Sequence, residues 1–253
     1  MKIQAVWILV LLSSLVFASA SVADDAESVV EHTTYLPSIS KPLLISDDFS
    51  NPNSGWLVAD DGQVKWSYQN GEYEILIRVP KWWAGARAPI NGLVHYAVEA
   101  EMRRLSGSTS DYGLIFDFQD WTNFYYFIVD SGDQWYGVAK IANDTPQVIV
   151  PLTNSPLINP NTSVNHLKVV RVGNQIDLYI NGHHLKTAND AGFGGGLEVG
   201  LYMESDSDAP ASVRYDNFVA WDLGTGKPNS VDLWSHSSES PATGSGSMTW
   251  DGP

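Results

Sequence analysis

The sequence predicts an all-β protein whose antiparallel strands form a two-sheet sandwich. Short segments alternate apolar and polar residues, which places one face of each strand on a core. Turn residues such as Asn70-Gly71 and Asn181-Gly182 separate these segments at intervals of about 8–15 residues. No segment shows the apolar period of an amphipathic helix. Together these observations favour one large antiparallel sandwich over any fold that contains helices.

The centre of the predicted sandwich is the aromatic-rich segment 111–141, DYGLIFDFQDWTNFYYFIVDSGDQWYGVAKI. It predicts three strands, Leu114–Phe118, Phe124–Val129 and Trp135–Ile141, because Phe, Tyr, Trp, Ile and Val favour a pleated, half-buried surface. The residues between the strands are rich in Asp, Asn, Ser and Gly, which suit short hairpin loops. The segment therefore predicts an antiparallel meander in the middle of the sandwich.

Further strands are predicted on both sides of the meander. The segment 64–79 forms a hairpin around an Asn-Gly turn, and Val94–Arg103 alternates between two faces. Lys81–Arg87, which contains Trp82 and Trp83, is expected to be a loop. The remaining strands are expected at Leu43–Ser50, Gln147–Pro151, His166–Val172, Gln175–Ile180, Leu197–Met203 and Val213–Leu223.

Composition divides the chain into four segments. Met1–Ala23 has the positive N-terminal region, short apolar run and small residues before the cleavage site of a secretory signal peptide. Segment 24–43 is a linker, 44–223 is the sandwich domain, and 224–253 is a Ser- and Gly-rich tail expected to be disordered. We therefore expect a secreted protein that acts outside the cell or at its surface, with no membrane span.

The overall composition restricts the class of partner. Acidic residues outnumber basic residues 29 to 14, giving a net charge of −15, and no basic cluster interrupts this excess. A chain of this charge repels nucleic acid and anionic lipid surfaces. It contains no cysteine, so neither disulfides nor thiolate metal sites can stabilise it. Its 10 Trp, 11 Tyr and 8 Phe residues fit either an aromatic core alone or a core with a sugar-stacking surface.

Several motifs follow one another along the sandwich segment: DDF…GW, NGEYEI, YGLIF, NFYYFIV, NHLKVVRVGNQIDLYINGHHL, GLEVGLYM and VRYDNFVAW. This ordered set resembles the concanavalin A-like, or laminin G-like, jelly-roll domains of secreted bacterial proteins. These domains are related to the one named 3-keto-disaccharide hydrolase and to family-16-like glucanases. The resemblance spans 44–223 and implies a jelly-roll sandwich. Because members of the group have varied functions, it implies no single activity.

The related glucanases carry an ExDxxE signature on one strand, and this sequence has no such triplet. The nearest candidates are Glu99 with Glu101, which share a strand face, and Asp117 with Asp120. Retaining hydrolysis needs two carboxyl groups about 5 Å apart, but like charges on an exposed strand are usually solvated surface groups. Asp120 is placed in a turn, which weakens the second pair. The sequence therefore assigns no catalytic residue.

The resemblance also implies a structural calcium site. Related jelly rolls often bind Ca²⁺ on the convex side, through an aspartate of the last strand and backbone carbonyls near the N-terminus and at a glycine. The matching residues here are Asp216, with Asp48 and Gly71 as neighbours. Carboxylate and carbonyl oxygens suit Ca²⁺. The alternative is that Asp216 only satisfies backbone groups where strands cross.

Sugar sites in such domains lie on the concave sheet and its rim loops, where aromatic rings stack and a few polar groups orient hydroxyls. Strand alternation directs Tyr125, Phe127 and Val129 toward the core. The opposite face and the adjacent loops form the predicted ligand face, which contains Trp82, Trp83, Asp117, Trp121, Tyr126, Tyr136 and Lys140. Each tryptophan could instead fold back over the sandwich, and a bulge would exchange the two faces.

Three functional hypotheses remain. The first is a secreted, non-catalytic binding module for a polysaccharide or a cell-surface glycoconjugate, with an open groove lined by aromatic residues. The second is a structural or adhesive surface protein, which a featureless concave face and an ordered tail would favour. The third is a glycoside hydrolase, which needs two carboxyl groups facing each other in a deep groove.

Overall fold

The computed structural model describes residues 42–193 and 197–224, together with the backbone of 242–247. These described residues form sixteen strands and no helix. The strands are β1 Leu43–Asp47, β2 Ala59–Asp60, β3 Val64–Gln69, β4 Glu72–Ile77, β5 Trp82–Arg87, β6 Tyr96–Ser106, β7 Asp111–Asp120, β8 Asn123–Asp130, β9 Trp135–Ala142, β10 Thr145–Asn154, β11 Asn165–Val172, β12 Gln175–Ile180, β13 His183–Asn189, β14 Glu198–Ser205, β15 Ala211–Asp222 and β16 Ala242–Ser247.

The strands pair antiparallel and form two sheets. The first sheet has the order β13–β12–β11–β6–β15–β4–β3–β2, and β1 pairs with the second half of β15. The second sheet has the order β10–β9–β8–β7–β14–β5–β16. Strands that are distant in the chain therefore lie side by side, as β15 does between β6 and β4. The predicted all-β, antiparallel two-sheet jelly-roll sandwich is confirmed.

Local sequence explains the hairpins of the sandwich. Strands β3 and β4 join at Asn70 and Gly71, whose φ angles of 58° and 81° are those of a tight turn that follows strand twist. The predicted meander is present as β7, β8 and β9. Each of these strands exceeds its predicted length, because the antiparallel pairing continues beyond the apolar residues at the strand ends.

The main hydrophobic core lies between the two sheets. Alternate residues of β4 and β6 face it from the first sheet, and alternate residues of β7 and β8 face it from the second. Its fully buried members include Tyr73, Ile75, Ile77, Tyr96, Val98, Leu114, Phe116, Tyr125 and Phe127. The period of two predicted for these strands is therefore the pattern that separates the core from the outer faces.

Two segments differ from their sequence-based predictions. Trp82–Arg87 is not a loop, because it pairs with β14 as strand β5. The tail is not wholly irregular, because Ala242–Ser247 pairs antiparallel along the other edge of β5 as strand β16. The rest of the tail, the predicted signal peptide and 24–41 lie outside the described residues. The described residues include no helix that could cross a lipid bilayer.

The DDF…GW, NGEYEI and DNF motifs meet in space at one end of the core. The Phe49 ring lies 5.2 Å from that of Trp56 and 5.5 Å from that of Tyr73, between ring centroids. Trp56 in turn packs edge-on against Phe218 at 4.8 Å. The carboxylate of Asp47 accepts a hydrogen bond from the Phe49 backbone N–H at 2.8 Å, which fixes the turn after β1. These motifs thus form one aromatic cluster that joins β1, β4 and β15.

Candidate ligand-binding groove

The outer face of the second sheet, away from the main core, carries its own hydrophobic cluster. Strand alternation produces it: Leu114 faces the main core, so Ile115 faces outward, and Tyr126 faces outward between Tyr125 and Phe127. The cluster contains Trp83, Ile115, Phe118, Phe124, Tyr126, Ile128, Ala139, Ile141 and Tyr202, with Trp121 and Trp135 packed against it. Ligand pockets are lined mainly by hydrophobic and aromatic side chains, so a pocket on this face is a candidate ligand site.

Four strands place a glycine on this outer face: Gly85 in β5, Gly113 in β7, Gly137 in β9 and Gly200 in β14. At Gly85, a side-chain Cβ would lie 2.8 Å from the Trp121 ring. The missing side chain therefore allows the Trp121 ring to lie close to β5. An added Cβ at each of the other three glycines would also meet neighbouring atoms, so each glycine permits the close approach of an adjacent strand or side chain.

A groove of about 530 Å³ opens on this face near edge strand β10. Its volume lies within the usual range for small-ligand sites. One wall is apolar and includes Val148 and Leu152, which are 54% and 43% exposed. The groove is lined by Thr109, Asp111, Tyr126, Ile128, Asp130, Asp133, Trp135, Gly137, Val138, Ala139, Val148, Val150, Pro151, Leu152, Glu204 and Asp206.

The opposite wall contains two carboxyl groups on neighbouring strands. Asp111 of β7 and Glu204 of β14 are direct register partners, so their side chains project side by side from the same face. The Tyr202 hydroxyl donates a hydrogen bond of 3.0 Å to Glu204 Oε2. Tyr126 stacks on Tyr202 with ring centroids 4.8 Å apart and planes 16° from parallel. Two acids and two tyrosines therefore form one packed group.

Both acids have raised pKa values, for electrostatic reasons visible in the geometry. Burial raises the pKa of Asp111 well above its usual range, and the negative charges of Glu204 and Asp130 raise it further. Burial also raises the pKa of Glu204, while the hydrogen bond from Tyr202 opposes this shift. Paired carboxyl groups with raised pKa values can accept hydroxyl or ammonium donors, or can exchange a proton.

A buried ion pair holds the rim of the groove. Arg104 reaches from β6 to Asp130, and its Nη1 lies 3.0 Å from Asp130 Oδ1. The same nitrogen donates to the carbonyl oxygen of Ser108 at 2.6 Å, and Asp130 Oδ1 accepts from the Gly132 backbone N–H at 2.5 Å. Arg104 thus ties the turn after β6 to the turn after β8, and both turns border the groove.

Comparison with solved structures places this architecture among known folds. A Bacillus subtilis protein of unknown function with a galectin-like fold is 11% identical, covers 72% of this chain and 97% of its own, and has a TM-score of 0.56. A GlcNAcα1–4Gal-releasing endo-β-galactosidase from Clostridium perfringens is 11% identical over 76% of this chain and 65% of its own, with a TM-score of 0.53. A Bacillus licheniformis β-glucanase is 13% identical over 73% of this chain and all of its own, with a TM-score of 0.51.

The fold is a concanavalin A-like jelly roll. At these identities the likeness shows the fold alone. No protein-family model matches the sequence, and the comparison with curated proteins gives no match. Any functional conclusion must therefore rest on the side chains of this jelly roll.

Three of the residues predicted for the ligand face lie on the outer face of the second sheet. Tyr126 lines the groove directly. Trp83 stacks on Tyr202 at 6.1 Å and is 6% exposed. Trp121 packs edge-on against Phe118 at 4.7 Å. Both tryptophans therefore fold onto the sheet beside the groove, as the alternative interpretation anticipated.

The other predicted ligand-face residues lie inside the jelly roll. Trp82 packs against the main core, and Tyr136, 5% exposed, belongs to it. The prediction placed Tyr136 on the same face as Tyr126, which is wrong. Tyr126 is the cross-strand partner of Ala139, so even-numbered residues of β8 share a face with odd-numbered residues of β9. Even-numbered β9 residues therefore face inward, including Lys140, whose Nζ lies 2.8 Å from Asp190 Oδ1.

Asp117 is fully buried between the sheets instead of facing outward. Its φ of 47° marks a bulge where the register of β7 shifts against both neighbouring strands, and the bulge turns the side chain inward. There, Asp117 Oδ1 accepts a hydrogen bond of 2.6 Å from the Tyr96 hydroxyl. Its Oδ2 lies 2.8 Å from Arg171 Nη2. Asp117 therefore holds the two sheets together.

The carboxylates considered for catalysis have structural partners. Glu99 is buried on the outer face of the first sheet, 2.8 Å from Lys168 Nζ and 3.5 Å from His166 Nε2. Glu101 Oε2 accepts a hydrogen bond from the Asn217 amide at 3.2 Å. Asp120 caps its own turn by accepting hydrogen bonds from Thr122. None of these three carboxylates lines the groove.

The residues predicted to bind calcium converge at a bulge in β15. Strands β1 and β4 lie on the same edge of β15, which brings Asp48 and Gly71 beside Asp216. Burial raises the pKa of Asp216 to about 6, and the charges of Glu101, Glu72 and Asp48 contribute. Among the described residues, no group of three or more His, Cys, Asp or Glu side chains is arranged to hold a metal. An ion there would need backbone carbonyl ligands.

Asp111, Glu204 and Trp135 line the groove but are not among the ligand residues predicted from the sequence. Alternation alone places Asp111 on the same face as Ile115, and Glu204 on the same face as Tyr202. What the sequence does not show is that β7 pairs with β14, which lies far away along the chain. The pairing of Asp111 with Glu204 therefore required the three-dimensional structure.

Proposed function

We propose that this chain is a secreted, non-catalytic binding module for carbohydrate, on a polysaccharide or a cell-surface glycoconjugate. The observation that carries the proposal is the groove on the outer face of the second sheet. It combines an apolar wall, aromatic groups and carboxylates within one concave surface of about 530 Å³. That combination suits a sugar, which has apolar ring faces and hydroxyl groups around its edge.

The groups of the groove have complementary roles toward such a ligand. Trp135 and the apolar wall at Leu152 offer surfaces for the C–H face of a sugar ring. Asp111 and Glu204 offer carboxylate oxygens that accept hydrogen bonds from hydroxyls. Because the strands of a sheet hold these groups, little side-chain ordering is needed on binding, which favours affinity.

The test is a glycan-binding screen with the full-length chain. Trp135→Ala is expected to weaken binding of any captured glycan about tenfold or more, because it removes a stacking surface in the groove. Tyr179→Ala, which truncates a half-buried aromatic residue on the outer face of the first sheet, is the matched control. Isothermal calorimetry measures both variants. The proposal fails if no glycan binds the folded chain, or if both variants bind as the unchanged protein does.

Hydrolysis is the second candidate function, and the Asp111–Glu204 pair is the observation that favours it. Direct register partners place two carboxyl groups close together in the groove, as retaining glycosidases require. Their raised pKa values would allow one to donate a proton while the other is ionised. Incubating captured glycans with the protein and assaying new reducing ends distinguishes the candidates. Turnover that Glu204→Gln abolishes would replace the binding-module proposal.

The structural or adhesive role has weaker support. The concave face carries a groove instead of a featureless surface. The ordered tail strand β16, which pairs along β5, meets the other condition for this role. Because of the groove, we favour the carbohydrate-binding hypothesis over the structural or adhesive one.

We also propose a structural Ca²⁺ ion between Asp216, Asp48 and the backbone at Gly71. Asp216 lies among the charges of Glu101, Glu72 and Asp48, and although Arg103 and Arg214 pair with Glu72, the pKa of Asp216 remains raised to about 6, so a cation beside it would relieve repulsion. Oxygen donors from carboxylates and carbonyls are those that Ca²⁺ prefers. Asp48 Oδ1 already accepts hydrogen bonds from the Ser50 N–H and hydroxyl, which orients its carboxylate.

Calcium is expected to raise the melting temperature of the folded chain relative to EDTA, because an ion that binds only the folded state stabilises it. Asp216→Asn should remove this increment and should raise the melting temperature in EDTA, since it relieves the repulsion. Asp144→Asn, at an exposed turn, should retain the full calcium effect. Differential scanning calorimetry measures all three proteins. An equal calcium response from Asp216→Asn would exclude the site.

A further inference from the structure

The groove has a one-sided charge distribution. Five carboxyl groups line it, those of Asp111, Asp130, Asp133, Glu204 and Asp206, whereas no Lys, Arg or His is among its described lining residues. Of the five, Asp130 has an ion pair, with Arg104. No ion pair within the described part of the chain neutralises the other four. The groove therefore has an excess of acidic over basic groups, and a bound cation would favour the ionised forms of its carboxyl groups.

The like-charge pair at the centre of this wall has an energetic cost. Asp111 and Glu204 are cross-strand neighbours, and like charges in that arrangement destabilise a sheet. The Tyr202 hydroxyl donates to Glu204, and Arg104, which is paired with Asp130, opposes the repulsion at Asp111 only in part, because the pKa of Asp111 stays well above its usual range. A bound positive charge between the two carboxyl groups would remove the repulsion. A neutral hydroxyl would do so only in part.

The wall opposite the acids is apolar. Val148 and Leu152 are largely exposed, and Pro151 and Trp135 continue this surface. A ligand that fills the groove must therefore present a cation to one side and an apolar face to the other. A hexose ring with a protonated amino group does this, because its axial C–H groups form a flat apolar face. A bare cation would leave the apolar wall without a partner.

We infer that the ligand class of this groove is amine-bearing glycans, such as polymers of de-N-acetylated hexosamine, with the ammonium group between Asp111 and Glu204. The inference rests on the proposed carbohydrate-binding function and narrows it. An ammonium group has three N–H donors, enough for both carboxyl groups and one further acceptor. Uronic, sialylated and sulfated glycans are excluded by the same charges. Charge-assisted hydrogen bonds to two acids make the free amine the main source of selectivity.

The test compares glycans that differ only at the amine. Short chitosan oligomers, the matched N-acetylated chitin oligomers and cello-oligosaccharides are titrated into the full-length chain by calorimetry. We expect chitosan oligomers to bind about tenfold or more tightly than either neutral series, since each charge-assisted bond exceeds its neutral equivalent. Asp111→Asn and Glu204→Gln should each remove most of this preference. Both variants relieve a repulsion, so they are expected to fold.

Controls must separate groove binding from general attraction, because the whole chain has a net charge of −15. Asp144→Asn removes one exposed carboxylate outside the groove and should bind chitosan oligomers as the unchanged protein does. Short lysine oligomers supply ammonium groups without a sugar ring, and they should bind weakly and equally to all variants. Equal affinity for lysine and chitosan oligomers would overturn the inference.

The failure of this inference and that of the proposed function give different results. If neutral oligomers bind and chitosan oligomers bind no better, the groove binds carbohydrate but the amine selectivity is wrong. If no oligomer of any series binds the folded protein, the proposed function fails as well. If chitosan oligomers bind and the groove variants keep their full affinity, the ammonium contact lies elsewhere and the inference is also wrong.

Discussion

Replacing Arg171 with methionine is expected to lower the free energy of unfolding by about 3–5 kcal/mol. Arg171 and Asp117 are 3% and 0% exposed, and the bond between them crosses from the first sheet to the second. Methionine fills similar space but leaves the carboxylate without its cation in the core. Removing one partner of a buried pair costs far more than the pair itself contributes, because the remaining charge has no solvent.

Chemical denaturation of three variants tests this expectation. Arg78→Met removes an ion pair to Asp60 whose side chains are 34% and 46% exposed, so it should cost no more than about 1 kcal/mol. The double variant Arg171→Met, Asp117→Asn should recover part of the loss, because asparagine tolerates the positive φ at 117 and carries no charge. If Arg171→Met lowers the free energy of unfolding no more than Arg78→Met does, the buried Arg171–Asp117 pair does not contribute to stability as proposed.

The deficit of Arg171→Met should also depend on pH. Burial already raises the pKa of Asp117, and Arg171 opposes that shift. Without the arginine, the folded pKa rises further above the unfolded value. Between these two pKa values, the folded variant keeps a proton on Asp117 that the unfolded chain releases. The stability of the variant therefore falls as pH rises through this range. The deficit relative to the unchanged protein should therefore shrink as pH is lowered.

Gly113→Ala is expected to destabilise the chain by about 4 kcal/mol or more, a range reserved for severe backbone conflicts. An added Cβ would overlap the carbonyl oxygen of Phe127 and lie 2.8 Å from the carbonyl carbon. These are backbone atoms of the neighbouring strand, so β7 and β8 would have to separate. Since both strands belong to the central meander, the damage should spread to the floor of the groove.

Gly137→Ala is the matched control, with the same substitution on the same sheet face. Its nearest neighbour would be the Leu152 side chain at 2.9 Å, which is flexible and partly exposed. The free energy of unfolding should change by no more than about 1 kcal/mol. Alanine lowers the conformational entropy of the unfolded chain, and this gain offsets the slight crowding in the folded state. Thermal and urea unfolding measure both variants. Similar losses at the two glycines would mean that β7 and β8 can separate easily.

The fold could be predicted from the sequence because its signals are local. The Asn70-Gly71 turn and the alternation of Tyr73, Ile75 and Ile77 depend only on adjacent residues, and the structure shows both. The Ala and Gly residues of Trp82–Arg87 have low strand propensity, so the local sequence does not predict the strand that the structure shows there. Its pairing with β14 supplies the hydrogen bonds that make it a strand.

The site was harder to predict because it depends on register between distant strands. The sheet face on which Tyr136 lies depends on the length of the turn between β8 and β9. The inward direction of the Asp117 side chain depends on one bulge in β7. Neither the turn length nor the bulge can be recognised from the residue types alone. The Asp111–Glu204 pair requires the knowledge that β7 and β14 are neighbours. Of the predicted ligand residues, Tyr126 lines the groove, and it lies in the most regular part of the meander.

Strand β16 has a practical consequence for recombinant work. It occupies the edge of β5, so a fragment that ends at Leu223 would leave the backbone N–H and C=O groups of β5 unpaired. That edge includes Trp82 and Trp83. A free edge strand beside large apolar side chains is a template for aggregation. The Gly- and Ser-containing strand β16 therefore replaces the tryptophan-bearing β5 as the edge of the second sheet, and a chain shortened to 44–223 would expose the edge of β5 instead.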